Sequence, residues 1–182
     1  MKTLVTAFAR ANIFHQGHIV LVEEVNKIAM QVNGDAAVFL SHTENKKNPL
    51  PYDFKVVLMN KWTNGTVKLD NENKVKMIGN LLHYANEGKY TNVIIVCGSD
   101  RAEEYSKSLP EFAASRDYFN FDSVTVRSLI RDTNKKDISG MSGTLMRSYI
   151  KEDNFDSFRR ALPLICTNEE AESIWLMARK VK

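Results

Sequence analysis

The 182-residue chain carries 25 Lys and Arg against 22 Asp and Glu, a formal net charge of +3. Its 43% hydrophobic and 26% charged residues are ordinary globular values, which exclude a disordered, collagenous or coiled-coil chain. That length predicts one domain, residues 1–182, and so weak a charge gives no argument for nucleic-acid binding.

In chain order, Leu4 to Phe8 is an apolar run and predicts a strand. A loop ends at Gly17, and from His18 the apolar residues Leu21, Val25, Ile28 and Val32 recur at helical spacing. Asn33-Gly34-Asp35 stops that helix, and Ala36 to Leu40 predicts a second strand. After the polar stretch Ser41 to Pro49, a helix is expected behind Pro51, with Phe54, Val57 and Leu58 on it. Asn64-Gly65 marks a turn and Val67 to Leu69 a short strand. Val75, Ile78, Leu82 and Ala85 predict a helix closed by Gly88. Asn92 to Cys97 is the most strand-like segment, with Gly98-Ser99-Asp100 as its exit. A helix from Ala102 to Ser108 is expected to stop at Pro110, followed by a strand at Val124-Thr125-Val126. Beyond Ile130 comes a polar loop, and then Ser142-Gly143-Thr144 caps a helix through Ile150. Helical stretches around Phe155–Leu162 and Glu169–Val181 finish the chain.

Strands that are short apolar runs, alternating with helices, predict a doubly wound, Rossmann-like α/β fold: a parallel sheet with helices on both faces. The α/β core should span about residues 1–150, with C-terminal helices over 151–182. Ligands of such sheets bind beyond the carboxyl ends of the strands, so the loops after Phe8, Leu40 and Cys97 matter most. Cys97 and Cys166 sit in no metal-ligand spacing and read as free thiols. No apolar stretch approaches the ~20 residues of a membrane helix, and the first residues are too short and polar for a signal peptide. A soluble protein of a reducing cytoplasm is expected.

The first of those loops carries His15-Gln16-Gly17-His18. Gly17 permits close approach, a helix start offers N–H groups to an anion, and two imidazoles three residues apart can donate to phosphate oxygens. The simpler alternative makes them a helix cap and a solvated loop residue. A phosphate-binding Gly-rich loop ending in Lys-Ser or Lys-Thr, a GxGxxG fingerprint and a GxSxG elbow are all absent from the sequence. A second anion site is expected where Ile138 to Arg147 opens a helix: Ser142, Gly143 and Thr144 supply hydroxyls and amides, and Arg147 a planar fork one turn on. An ordinary capped helix with a surface arginine is the bland counterpart.

The pair His15-x-Gly17-His18 and Ser142-Gly143-Thr144-x-x-Arg147 resembles the nucleotidyltransferase superfamily of adenylyl- and cytidylyltransferases. The segment Ala9 to His18 is similar to that family's GRFxPxHxGH. Ser41-His42-Thr43 with Asn48-Pro49 is similar to the SHTxxNPF segment of archaeal-type nicotinamide mononucleotide (NMN) adenylyltransferases. The pattern as a whole, residues 4 to about 163, looks most like nucleotidyltransferases encoded by tailed phages, which would place the protein in a host cytoplasm. Ala9 stands where the family has Gly, Ile13 where it has Pro, and Leu145 where Lys is frequent.

The resemblance implies transfer of an NMP group from an NTP, ATP favoured, to a phosphate monoester, with release of pyrophosphate and with Mg²⁺ carried on the phosphates. It implies that His18 serves the α-phosphate, His15 the triphosphate, and Arg147 with Ser142 and Thr144 the β,γ end. Arg10 then contacts the triphosphate, with Gly17 and Gly143 lying beside it, and Gly98 and Asp100 lie near the nucleotide. Helix capping by Ser99 or Asp100 is an equal alternative for that last segment. Ser41, His42, Lys46, Lys47, Asn48, Arg127 and Arg131 are the candidates for the small phosphate-bearing acceptor. The residues leave open CTP with a sugar or alcohol phosphate, an inactive nucleotide-binding module, and assembly into a homo-oligomer. They give no sign of a membrane or nucleic-acid partner, since no KMSKS-like segment of a tRNA synthetase occurs.

Overall fold

The computed structural model describes residues 1–70, 72–129 and 141–180. Its elements are β1 (Thr3–Ala9), α1 (Gln16–Gln31), β2 (Asp35–Leu40), α2 (Tyr52–Trp62), α3 (Asn80–Glu87), β3 (Asn92–Gly98), α4 (Ser99–Ala114), β4 (Ser123–Leu129), α5 (Gly143–Lys151), α6 (Phe155–Ala161) and α7 (Asn168–Arg179). The four strands form one parallel sheet in the order β2-β1-β3-β4.

Alternate residues of the inner strands enter two separate cores. Val5, Ala7, Val38, Leu40, Ile94 and Val96 face α1, α2 and the three C-terminal helices. Leu4, Ala37, Phe39, Val93 and Ile95 face α3 and α4. Burial on both faces explains why these strands read as unbroken apolar runs, and it confirms the expected doubly wound α/β class. The outer strand β4 leaves Thr125, Arg127 and Ser128 exposed.

The strand order fixes where a ligand has room. Pairing of β1 with β2 continues to Ala9↔Leu40 and pairing of β3 with β4 to Gly98↔Leu129, whereas β1 and β3 pair only as far as Thr6↔Ile95. The chain leaves β1 toward one edge of the sheet and β3 toward the other. The two inner strands therefore part at their carboxyl ends, which makes the switch point of the fold.

Several expected elements differ. Val67–Leu69 forms no strand: its contact with the sheet is a single bridge, Val38↔Val67, with N–H···O bonds of 2.9 and 2.8 Å either side of Val38. The helix expected from Val75 begins only at Asn80. The amides ahead of it are held by side chains, Lys74 and Val75 by Asp70 and Lys76 and Met77 by Asn80. Gly88 does end α3, but at φ −75, and the left-handed residue is Lys89. Helix α4 starts at Ser99 and continues through Pro110 to Ala114, because Leu109 and Ala113 on either side are buried and outweigh one missing N–H. Helix α1 starts at Gln16, so Gln16 and Gly17 belong to its first turn rather than to a loop.

The C-terminal helices close over the first core. Phe158 and Trp175 meet edge to face at 4.9 Å, and Glu170 accepts from Lys61 Nζ at 2.7 Å and Trp62 Nε1 at 3.1 Å on α2. Both cysteines are buried free thiols; burial pushes Cys97 above its ordinary value and Cys166 up to about 11. Among the described residues no helix is long and apolar enough to cross a membrane.

A Cβ on Gly34 would lie 2.8 Å from the backbone oxygen of Thr3, where β1 begins. Gly34→Ala is therefore expected to cost about 1–3 kcal/mol, seen as a lower urea midpoint with an unchanged slope.

Candidate functional site

The loop from Arg10 to Phe14 leads from β1 into α1 and is fixed from beneath. Ala11 takes a left-handed φ of 44 and the Asn12–Ile13 peptide is cis. Asn12 is buried and exchanges two hydrogen bonds of 3.1 Å with the N–H and C=O of Leu50. Ile13 and Phe14 are completely buried, and Phe14 packs edge to face on Trp62 at 5.2 Å. Each such apolar side chain contributes roughly 1.5–3 kcal/mol, so the loop that delivers His15 is part of the core.

His15 is the N-cap of α1 and is itself buried, 6% exposed. Its backbone N–H donates to His18 Nδ1 at 3.2 Å, and the two rings lie 3.9 Å apart with their planes tilted by 38°. That bond makes Nδ1 the acceptor of the neutral His18 ring and leaves Nε2 as its N–H donor. Gly17 is required here, because a Cβ on it would stand 2.9 Å from His15 Nδ1.

The second motif approaches the same loop. Ser142 caps α5 by accepting from Leu145 N–H at 3.2 Å. A Cβ on Gly143 would lie 3.6 Å from the carbonyl oxygen of Asn12 and 3.2 Å from Arg147 Nη1, so the start of α5 lies against the loop that carries His15. Arg147 donates to Thr144 Oγ1 at 3.1 Å and to the Lys47 carbonyl at 3.4 Å. Beside it is a cavity of about 190 Å³ lined by Ile13, Lys46, Pro49, Arg147, Ile150, Lys151 and Ala178.

The other expected residues divide. Arg10 is exposed at the carboxyl end of β1. Gly98, not Ser99 or Asp100, is the N-cap residue of α4, and Asp100 is exposed in its first turn. Ser41 closes a local turn, accepting from Thr43 N–H at 3.0 Å and donating to Thr43 Oγ1 at 2.7 Å. Asn48 is nearly buried and donates to Asn45 Oδ1 through its backbone and side-chain nitrogens, at 3.1 and 2.9 Å. His42 stacks on Tyr52 at 3.5 Å and lies 3.3 Å from Asp70 Oδ2. Ser41, His42 and Asn48 thus shape the loop after β2. Lys46 and Lys47 are exposed on it, and Arg127 is exposed on the outer strand. Arg131 and Ile138-Ser139-Gly140 lie outside the described residues.

Sequence reasoning passed over Lys55. This lysine on α2 is fully buried, and its ammonium donates to the Arg10 carbonyl at 3.2 Å and the Ser41 carbonyl at 2.5 Å. Burial lowers its pKa to about 8, against an opposing pull from Glu44. The signal was present: Tyr52, Val56 and Met59 share the buried stripe of α2, and a charged residue stands in the middle of it. Among the described residues, no three or more His, Cys, Asp or Glu side chains are arranged to hold a metal ion.

No protein-family model matches this chain, and no curated protein matches it. Among solved structures it is similar to Thermotoga maritima TmcAL, crystallised with α-thio ATP, at 13% identity and a TM-score of 0.50. The match covers 97% of this chain and 55% of TmcAL, so the chain spans about half the length of that protein. The likeness is one of fold.

Since a methyl group on Gly17 has no room beside His15, Gly17→Ala should shift the imidazole proton resonances of both His15 and His18 in NMR spectra. The far-UV circular dichroism should stay unchanged.

Proposed function

We propose that the protein is a nucleotidyltransferase that moves an NMP group from an NTP, with ATP favoured, onto a phosphate monoester such as NMN and releases pyrophosphate. The observation that carries this reading is the approach of two remote segments: the start of α5 lies against Asn12, in the loop that leads into the His15–His18 pair, and Arg147 shares a cavity with Ile13 of that loop. Support in kind comes from the fold shared with a protein crystallised with an ATP analogue.

The chemistry asks little proton transfer of the protein. A phosphate monoester is already an anion at neutral pH, so its oxygen attacks the α-phosphorus without a general base, and the bond to the β-phosphate oxygen breaks as the new P–O bond forms. What remains is to align two polyanions and to stabilise the charge gathering on the departing pyrophosphate. His18 Nε2–H serves the α-phosphate, and His15 together with Arg10 serves the triphosphate. Arg147, oriented by Thr144 and the Lys47 carbonyl, serves the β,γ end. The magnesium ion enters as part of the metal–nucleotide substrate, held by phosphate and water oxygens. Attack must be in line with departure, so the cavity that shares Arg147 suits pyrophosphate rather than acceptor. Lys46 moves with it from the acceptor side to the leaving-group side, and Lys151 joins it.

Incubation with ATP, NMN and Mg²⁺ should release pyrophosphate, and His18→Ala should lower kcat by about 10²–10³-fold, the cost of one transition-state donor. Arg147→Ala should raise KM for the nucleotide as well as lowering kcat. A panel of ATP and CTP crossed with phosphate esters assigns the substrates. Pyrophosphate release that His18→Ala leaves untouched would overturn the reading.

A further inference from the structure

Lys55 is the one fully buried lysine among the described residues, and it stands at the carboxyl ends of β1 and β2. Its ammonium joins the backbone of the first loop, at Arg10, to that of the second, at Ser41. Ser41 N–H in turn bonds to the Ala9 carbonyl at 2.8 Å. Two carbonyl dipoles satisfy two of its three N–H donors, yet no carboxylate lies within ion-pair distance of it among the described residues. A buried cation with no carboxylate in contact, drawn only by the more distant charge of Glu44, is costly and is tolerated where it serves something.

We propose that Lys55 is a positioning residue for polyphosphate: it ties together the two loops that border the anion site and supplies, from behind them, a positive charge whose counter-ion is the bound triphosphate. This rests on the reading of the site as a polyphosphate site. The residue itself does not touch the ligand.

The two parts of that role separate with pH. An uncharged amine still carries two N–H groups, enough for the Arg10 and Ser41 carbonyls, so loss of the proton removes the charge and leaves the tie. The titratable groups on the surrounding elements are Arg10 and His15 on the first loop, His42, Glu44, Lys46 and Lys47 on the second, Tyr52, Asp53 and Lys61 on α2, and Asp70 beyond Tyr52. Glu44 alone adds to the charge balance of Lys55, and its carboxylate already accepts from Tyr52 N–H at 2.7 Å. With the Lys55 pKa lowered from 10.5 to about 8, the unfolded chain binds the extra proton between those values. This group's contribution to stability therefore rises with pH across that window, while anion affinity falls. A lysine that merely supports the fold would not move the two in opposite directions.

The test is calorimetric titration of the intact protein with magnesium-ATP and, separately, with inorganic tripolyphosphate, from pH 7.5 to 9.5. The expected result is affinity weakening about twentyfold across that range. Lys55→Met, whose neutral side chain suits a buried site, should bind at least tenfold more weakly at pH 7.5 and show a flat profile. The melting temperature of wild type relative to the variant should climb above pH 8. A flat wild-type profile, or wild-type affinity in Lys55→Met, overturns the proposal; should the variant not fold, the wild-type profile decides alone. Tripolyphosphate binding with this pH dependence, without ATP binding, upholds Lys55 and removes the nucleotide reading. ATP binding with a flat profile does the reverse, and failure of both ligands to bind removes both.

Discussion

The parting of β1 and β3 beyond Thr6 and Ile95 is the constraint from which the rest of the molecule follows. Strands β1, β2 and β3 are buried on both faces, and ligands of such sheets bind beyond the carboxyl ends of the strands. With the order β2-β1-β3-β4, the chain turns in opposite directions after the two inner strands, which is the arrangement that makes a crevice at the carboxyl ends of such sheets. Both the His15 loop and the start of α4 begin at that space.

A strand end by itself is a poor platform, because loops there have few neighbours. Here the loops after β1 and β2 are bound to one another by Asn12 with Leu50, by Ser41 with Ala9, and by the Lys55 ammonium beneath both. Phe14 extends the hydrophobic core into the same region through Trp62. The imidazole pair is thus mounted on a packed support, and preorganisation of that kind is what an electrostatic site depends on. Ser41, His42 and Asn48, candidate acceptor contacts in the loop after β2, also take part in this support: their polar atoms shape the turn and secure it to Tyr52 and Asp70.

The fold class, the four principal strands and most helices were legible in the sequence because two-sided burial leaves an unmistakable apolar run in each strand. What misled was chemistry outside that periodicity. The spacing of Val75 and Ile78 with Leu82 imitates a helix, but Asp70 and Asn80 take the amides such a helix would need. Pro110 reads as a stop, yet the burial of Leu109 and Ala113 carries α4 past it. Of the candidate site, the two motifs could be read from residue type and spacing, since His15, Gly17, His18, Ser142 and Arg147 stand out in the sequence itself. Asn12 could not, because its partners are the backbone carbonyl and amide of Leu50, which carry no residue-specific signature, whereas Lys55 left one trace, a charge within the buried stripe of α2.

Glu170 shows what contacts between distant segments mean for handling the molecule. Its carboxylate gathers the Lys61 ammonium, the Trp62 indole and the Thr167 amide, so a helix beginning at Asn168 is fastened to one that ends at Trp62. Trp62 is also the ring on which Phe14 rests, immediately before His15. A shortened version ending after Pro163 would strip the indole of its acceptor and uncover the aromatic shelf beneath the histidines. Helix α7 is therefore no disposable segment.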